Sequence, residues 1–124
     1  MTPRIVHPDP QQEYAFLAEG CRILESWNHP ADSQASIARA RVAPGVMTRW
    51  HALREVTERY LIVSGNGIVE IGERAPETVQ AGDVVVIPPG VRQRIRNDGP
   101  VDLVFYAVCT PRFTPDCYAA LDDD

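Results

Sequence analysis

His51 and Glu58 stand seven residues apart in the run GVMTRWHALREVTERYLIVSGNG, which begins at Gly45. An imidazole and a carboxylate brought together can do two things. They can grip a divalent metal, or they can move a proton to and from a bound molecule. Gln93 adds an amide, either a weak neutral ligand or a bridge between the other two. Tyr60 offers a phenolic proton to a substrate, or packs as an aromatic. Arg49 suits a carboxylate or phosphate, or marks the mouth of a pocket. Leu53, two residues past His51, can bind no metal.

These residues share one space only if strands carry them. The helical period is nearly absent from the chain. Short apolar runs alternate with turn signals instead: CRILESW, ASIARARV, RWHAL, ERYLIVSG, IVEIG, TVQAG, DVVVIPPG, VRQRIRN and VDLVFYAV. Eight or nine short strands predict an all-β sandwich or barrel. Gly65 and Gly67 read as a tight turn that wants positive φ, and Gly82 with Asp83 as a second turn. Pro88, Pro89 and Gly90 break a ladder and re-aim the chain. A short helix is predicted over DCYAAL near the C-terminus.

Side chains two apart on a strand share a face. If His51 points inward, so do Arg49 and Leu53. If Glu58 does, so do Tyr60 and Ile62. Gln93 brings Ile95 inward and sends Arg92, Arg94 and Arg96 to the opposite, solvated face. The result is a mostly apolar interior with a few converging polar groups, the common form of a small-molecule pocket.

Two spacings carry a resemblance. The first is Gly45, five residues, His51, one residue, Leu53, four residues, Glu58, six residues, Gly65. The second is Gly82, five residues, Pro88, one residue, Gly90, two residues, Gln93, three residues, Asn97. Together they resemble the paired signature motifs of the cupin superfamily, over roughly residues 35 to 110. The resemblance implies a double-stranded β-helix, a jelly-roll-like barrel of two antiparallel sheets. It implies a single domain over 1–124, with a core barrel at about 35–110, an N-terminal strand segment at about 20–28 and a tail at 111–124. Similarity to other small cupins turns Phe105, Ala107 and Cys109 inward, so that Arg49, Leu53, Ile62, Ile95, Phe105 and Cys109 line the substrate pocket.

Family members hold metal with two histidines and a glutamate from the first motif and a histidine from the second. Carried over by position, His51 and Glu58 match, Leu53 departs, and Gln93 replaces a histidine with an amide. Two readings stay open. One is a metal held by His51, Glu58 and Gln93, with Mn²⁺ or Fe²⁺ suited as well as Zn²⁺, and Ni²⁺ within range. The other is a metal-free polar network. Function divides the same way. The chain is a metal-dependent dioxygenase, isomerase or lyase acting on a small polar or anionic substrate, with Tyr60 and His51 catalytic. Otherwise it is a ligand-binding module, or a metal-free enzyme with His51 as base and Glu58 orienting it.

Composition narrows the partners. The chain has 124 residues and a net charge of −5. An acidic protein meets a nucleic-acid backbone poorly, so no nucleic-acid partner is expected. All the basic residues are Arg. Three cysteines without a regular framework suit a reducing compartment, and no apolar run is long enough to span a bilayer. We expect a cytoplasmic protein with no membrane partner. A homodimer is expected from the family, with CRILESW as an edge-covering strand and Trp27, Ile23 and Trp50 as contact residues.

Overall fold

The structure, a computed structural model, describes residues 1–121; the last three acids of the tail lie outside them. Eleven strands form two antiparallel sheets. They are β1 (Tyr14–Phe16), β2 (Cys21–Trp27), β3 (Ser36–Val42), β4 (His51–Leu53), β5 (Thr57–Ser64), β6 (Asn66–Ile71), β7 (Glu77–Gln80), β8 (Val84–Ile87), β9 (Gln93–Arg96), β10 (Leu103–Thr110) and β11 (Tyr118–Ala120). One sheet has the order β1-β2-β3-β10-β5-β8, and the other β11-β4-β9-β6-β7. Among the described residues no helix is long and apolar enough to cross a membrane.

The period of two builds the core. Tyr60 and Ile62 on β5, Ile95 on β9, and Leu103 and Phe105 on β10 all point between the sheets, with Ala40, Val42, Val85 and Ile87. Tyr60 and Phe105 pack as tilted rings with centroids 4.3 Å apart. Their burial removes large apolar surfaces from water, the main stabilising term for such a fold. Asn97 is fully buried. Its amide donates to the carbonyls of Val42 and Val101, and its oxygen accepts from the amide of Gly99. One side chain thereby ties the end of β9 to two other segments.

Several expectations change. The segment DCYAAL is not helical: a 3-10 turn spans Pro115–Cys117 and β11 follows, pairing with β4 through Tyr118 opposite Leu53 and Ala120 opposite His51. An isolated helix that short is unstable, whereas pairing satisfies the open edge of β4. CRILESW is an interior strand, because β1, which the sequence reading missed, pairs outside it. The N-terminal chain is held there by Glu13, whose carboxylate meets Arg22, Arg39 and Arg41.

Gly65 takes φ +82°, as a turn requires, but Gly67 does not adopt positive φ. It is glycine for space: a Cβ there would lie 2.8 Å from Leu103 Cδ2 and 3.1 Å from the Arg96 carbonyl oxygen.

Ile23 faces a pocket, and Trp50 is buried beneath Arg92 and Arg94, whose guanidinium carbons lie 4.3 and 4.2 Å from its ring centre. Those two arginines therefore cover an aromatic face rather than standing free in solvent. Trp27 is half-buried, stacked on His29 and under Arg4.

Candidate functional site

One end of the space between the sheets opens as a cavity of about 60 Å³. His51 enters it from the start of β4, and Glu58 from β5 in the facing sheet. The tight turn after Leu53 and the positive-φ residue Glu55 let the chain cross between the two sheets within these few residues. Leu53 and Cys109 also line the cavity.

A third titratable group joins them from outside both motifs. Glu19 sits in the turn between β1 and β2, just before Gly20 at φ +95°. Its carbonyl accepts from the amide of Arg49 at 2.9 Å, which docks the turn beside β4. Its side chain is buried, and Glu19 Oε1 lies 3.2 Å from His51 Nε2. On the other side of the ring, His51 Nδ1 lies 2.8 Å from the Arg49 carbonyl oxygen. A carbonyl only accepts, so Nδ1 carries a proton and donates it. Nε2 and Glu19 must then share one further proton: either the carboxyl donates to Nε2, or the imidazolium donates to the carboxylate. Tyr118 on β11 stacks on the imidazole, with ring centres 5.3 Å apart.

Burial sets the electrostatics. It raises the pKa of Glu19 to about 7, opposed by Cys21. It raises Glu58 to about 7 as well, helped by the charge of Glu19 and opposed by His51, Gln93 and Cys109. Burial lowers His51, partly offset by the Arg49 carbonyl and by Glu58. Burial thus brings the two carboxyls toward neutrality, the range acid–base catalysis uses, and holds His51 toward its uncharged form. Glu58 Oε1 is buried without a hydrogen-bond partner.

The remaining predicted residues separate into a layer behind the cavity and one outside it. Gln93 is fully buried and accepts from the Tyr60 hydroxyl. It pairs with His51 along the strands but does not bridge His51 to Glu58. Its amide nitrogen, near enough to Glu58 to pull that carboxyl's pKa down, makes no well-formed hydrogen bond. Tyr60, Ile62, Ile95 and Phe105 belong to the core and do not line the cavity. Arg49 is exposed and does not line it either, because the strand begins only at His51 and two-residue parity fails before it. The sequence reading missed Glu19, Tyr118, Tyr14 and Glu25. A carboxylate before glycine in LAEGCR reads as an ordinary turn, and only docking of the hairpin turns it inward.

The metal grip implied by the motifs can be tested on the donors. Of its four positions, Leu53 offers none, and the Gln93 oxygen is taken by Tyr60. Among the described residues no three His, Cys, Asp or Glu side chains are spaced to hold a metal ion. The arrangement does not fit the four-ligand centre.

Comparison with known proteins adds breadth but not an activity. The chain is 33% identical over 84 residues to an endoribonuclease YbeY of Myxococcus xanthus, and it spans only 27% of that relative's length. Its fold is similar to Pac13 of Streptomyces, described as a nucleoside dehydratase (TM-score 0.75, 16% identity, 95% of this chain and 92% of that one). It is similar also to a predicted oxalate decarboxylase of Thermotoga maritima (TM-score 0.71, 23% identity, 90% and 99%). At these identities the structural likenesses show the fold alone. The profile of the Cupin domain matches residues 38–109, which hold both motifs and 72 of the 124 residues. With two facing sheets and both motifs in place, the chain belongs to the cupin domain family.

Proposed function

We propose that this cupin is a metal-independent acid–base enzyme of the dehydratase or isomerase kind, acting on a small polar molecule. The observation that carries the reading is the pairing of His51 Nε2 with Glu19 Oε1 in a cavity that Glu58 faces from the other sheet. With Nδ1 held by the Arg49 carbonyl, Nε2 exchanges its proton with Glu19. In a dehydration, the His51–Glu19 pair, which holds one shared proton, takes a second at the free Glu19 oxygen from a carbon beside the hydroxyl-bearing one. Glu58, protonated near neutrality, donates to the departing hydroxyl, which leaves as water as the double bond forms. In an isomerisation the same two groups remove and return protons at neighbouring atoms. Glu19 holds the imidazole and stabilises its protonated form. Tyr60 and Gln93 are hydrogen-bonded to each other behind the cavity and transfer no proton. A protein described as a nucleoside dehydratase shares this fold, so the fold can host such a reaction.

We place the protein in the cytoplasm, where its three free, buried cysteines suit a reducing environment. A homodimer without nucleic-acid or membrane partners remains our reading of its assembly, checked by light scattering against the 13.8 kDa chain mass.

The function is tested by NMR of small hydroxy and keto compounds incubated with the protein in D₂O and excess chelator. We expect deuterium uptake or loss of water for some of them, abolished in His51→Gln. Activity that appears only on adding Mn²⁺ or Fe²⁺ overturns the metal-free reading. Binding without exchange in any compound makes the protein a binding module.

A further inference from the structure

The cavity's lining has a charge character that neither motif predicts. Three carboxyl groups, Glu19, Glu25 and Glu58, face it, with His51 as the other titratable group of opposite tendency. Among the described residues no Arg or Lys lines it. Aromatic rings supply much of the remaining wall, including Tyr14, Phe16 and Tyr118. Phe16 and Tyr118 are themselves packed with centroids 5.2 Å apart. The expectation of an anionic substrate rested on Arg49, which lies outside.

We infer that the ligand of this cavity is a small organic cation, an amine on an apolar or aromatic body. Its ammonium would lie between Glu19 and Glu58, and its body against Phe16 and Tyr118. The inference names the substrate class of the acid–base site above and rests on that reading in taking the same cavity as the site. Two independent observations carry it. Glu58 is more than nine-tenths buried, lines the cavity, and has one oxygen with no donor at all. An ammonium brings three donors and a compensating charge. The second observation is the aromatic wall, since ring faces attract cations most strongly where water is excluded.

The neighbouring charges do not undo this. Around the two carboxyls stand His51 on β4, Cys21 on β2, Tyr60 on β5, Cys109 on β10, and Tyr14 and Tyr118 on β1 and β11. Burial pushes both thiols and all three phenols up, so they stay neutral at physiological pH. Arg112 acts on Glu25, and Arg49 on Tyr118, both from outside the lining. Glu19 and Glu58 repel each other's ionisation. An ammonium takes its counter-charge from Glu19 and donates to the unpartnered Glu58 oxygen, while Glu58 keeps the proton that the acid–base reading requires.

The test compares benzylamine, benzyl alcohol and benzoate by calorimetry at pH 7. We expect benzylamine to bind at least about tenfold more tightly than benzyl alcohol, and benzoate not to bind. Glu19→Gln should weaken benzylamine about tenfold, and a cooperative thermal melt shows that the variant is folded. Equal binding of amine and alcohol, or preference for benzoate, overturns the inference. His51→Gln separates the two readings, since it should abolish turnover and keep amine binding. Exchange chemistry without amine preference removes the cation alone. Amine binding without exchange in any compound removes the acid–base reading alone.

Discussion

His51 Nε2 stands 3.2 Å from Glu19 Oε1, and this contact joins a motif strand to a hairpin turn that carries no motif. The ring is held at its other nitrogen by the Arg49 carbonyl, and the same Arg49 residue's amide holds the Glu19 carbonyl. One residue of backbone thus positions both partners of the pair. The side chain of Arg49 has no part in this.

The pair should titrate as a unit. In ¹⁵N NMR, His51 should show a protonated Nδ1 at all accessible pH values and a proton on Nε2 that is shared with Glu19. In Glu19→Gln the amide cannot ionise, so the imidazolium loses its counter-charge and His51 should titrate alone and at lower pH. An unchanged His51 titration in that variant would remove Glu19 from the site.

Stability should fall as pH rises from about 4.5 to about 7. Glu19 and Glu58 have folded pKa values of about 7 against an ordinary 4.5, so the folded protein holds more protons than the unfolded chain in that window. Their stabilising contribution is complete below the ordinary value and lost through the raised one. His51, lowered by burial, acts in the opposite direction up to its ordinary 6.5, but it is one group against two. Urea midpoints at pH 5 and pH 8 test this. Glu58→Gln should shrink the difference by on the order of 2 kcal/mol. A wild-type protein more stable at pH 8 would contradict the burial argument.

At the acid end a different group should act. Glu13 lies under Arg22, Arg39 and Arg41, and hydrogen bonds from Arg41 first and then Arg22 lower its pKa to about 2. Its contribution is complete above an ordinary 4.5 and is lost as pH falls toward 2. Glu13→Gln should therefore lower the urea midpoint at pH 6 and leave it nearly unchanged at pH 2. The same loss at both pH values would make the role steric.

Restoring the lost ligand positions should create metal binding. Leu53 shares the cavity with His51 and Glu58, and Gln93 is the strand partner of His51. The combined change Leu53→His and Gln93→His should tighten Mn²⁺ or Ni²⁺ binding by at least about a hundredfold in calorimetry. In chelator the double variant should be less stable than the natural protein, with two buried imidazoles left unpaired. Unchanged affinity would place those side chains outside reach of one centre.

Gly67→Ala should destabilise by about 1–3 kcal/mol, because the added carbon meets Leu103 and the Arg96 carbonyl. The leucine can rotate, but the carbonyl belongs to a paired strand. Thermal melts check it, and a loss under about 0.5 kcal/mol would show that the strand yields.

Much of this protein is local in origin. Alternation along ERYLIVS and LVFYAVC determines which side chains face the core, since a strand has a period of two wherever it pairs. The motif spacings determine that His51 and Glu58 reach the same end of the barrel, because turn and strand lengths are properties of short segments. Leu53 and Gln93 announced in the sequence that the family's ligand set is broken. What the sequence did not determine is which other group meets His51. Glu19 lies 32 positions before His51, and nothing in LAEGCR distinguishes an inward carboxylate from an exposed one. Docking of the β1–β2 hairpin decides that. Strand β11 forms for the same reason: YAA has little preference of its own, and the open edge of β4 supplies the missing partners. Pairing between distant segments is rewarded only once the chain has closed the loop between them, so its outcome belongs to the assembled sheets and not to either segment.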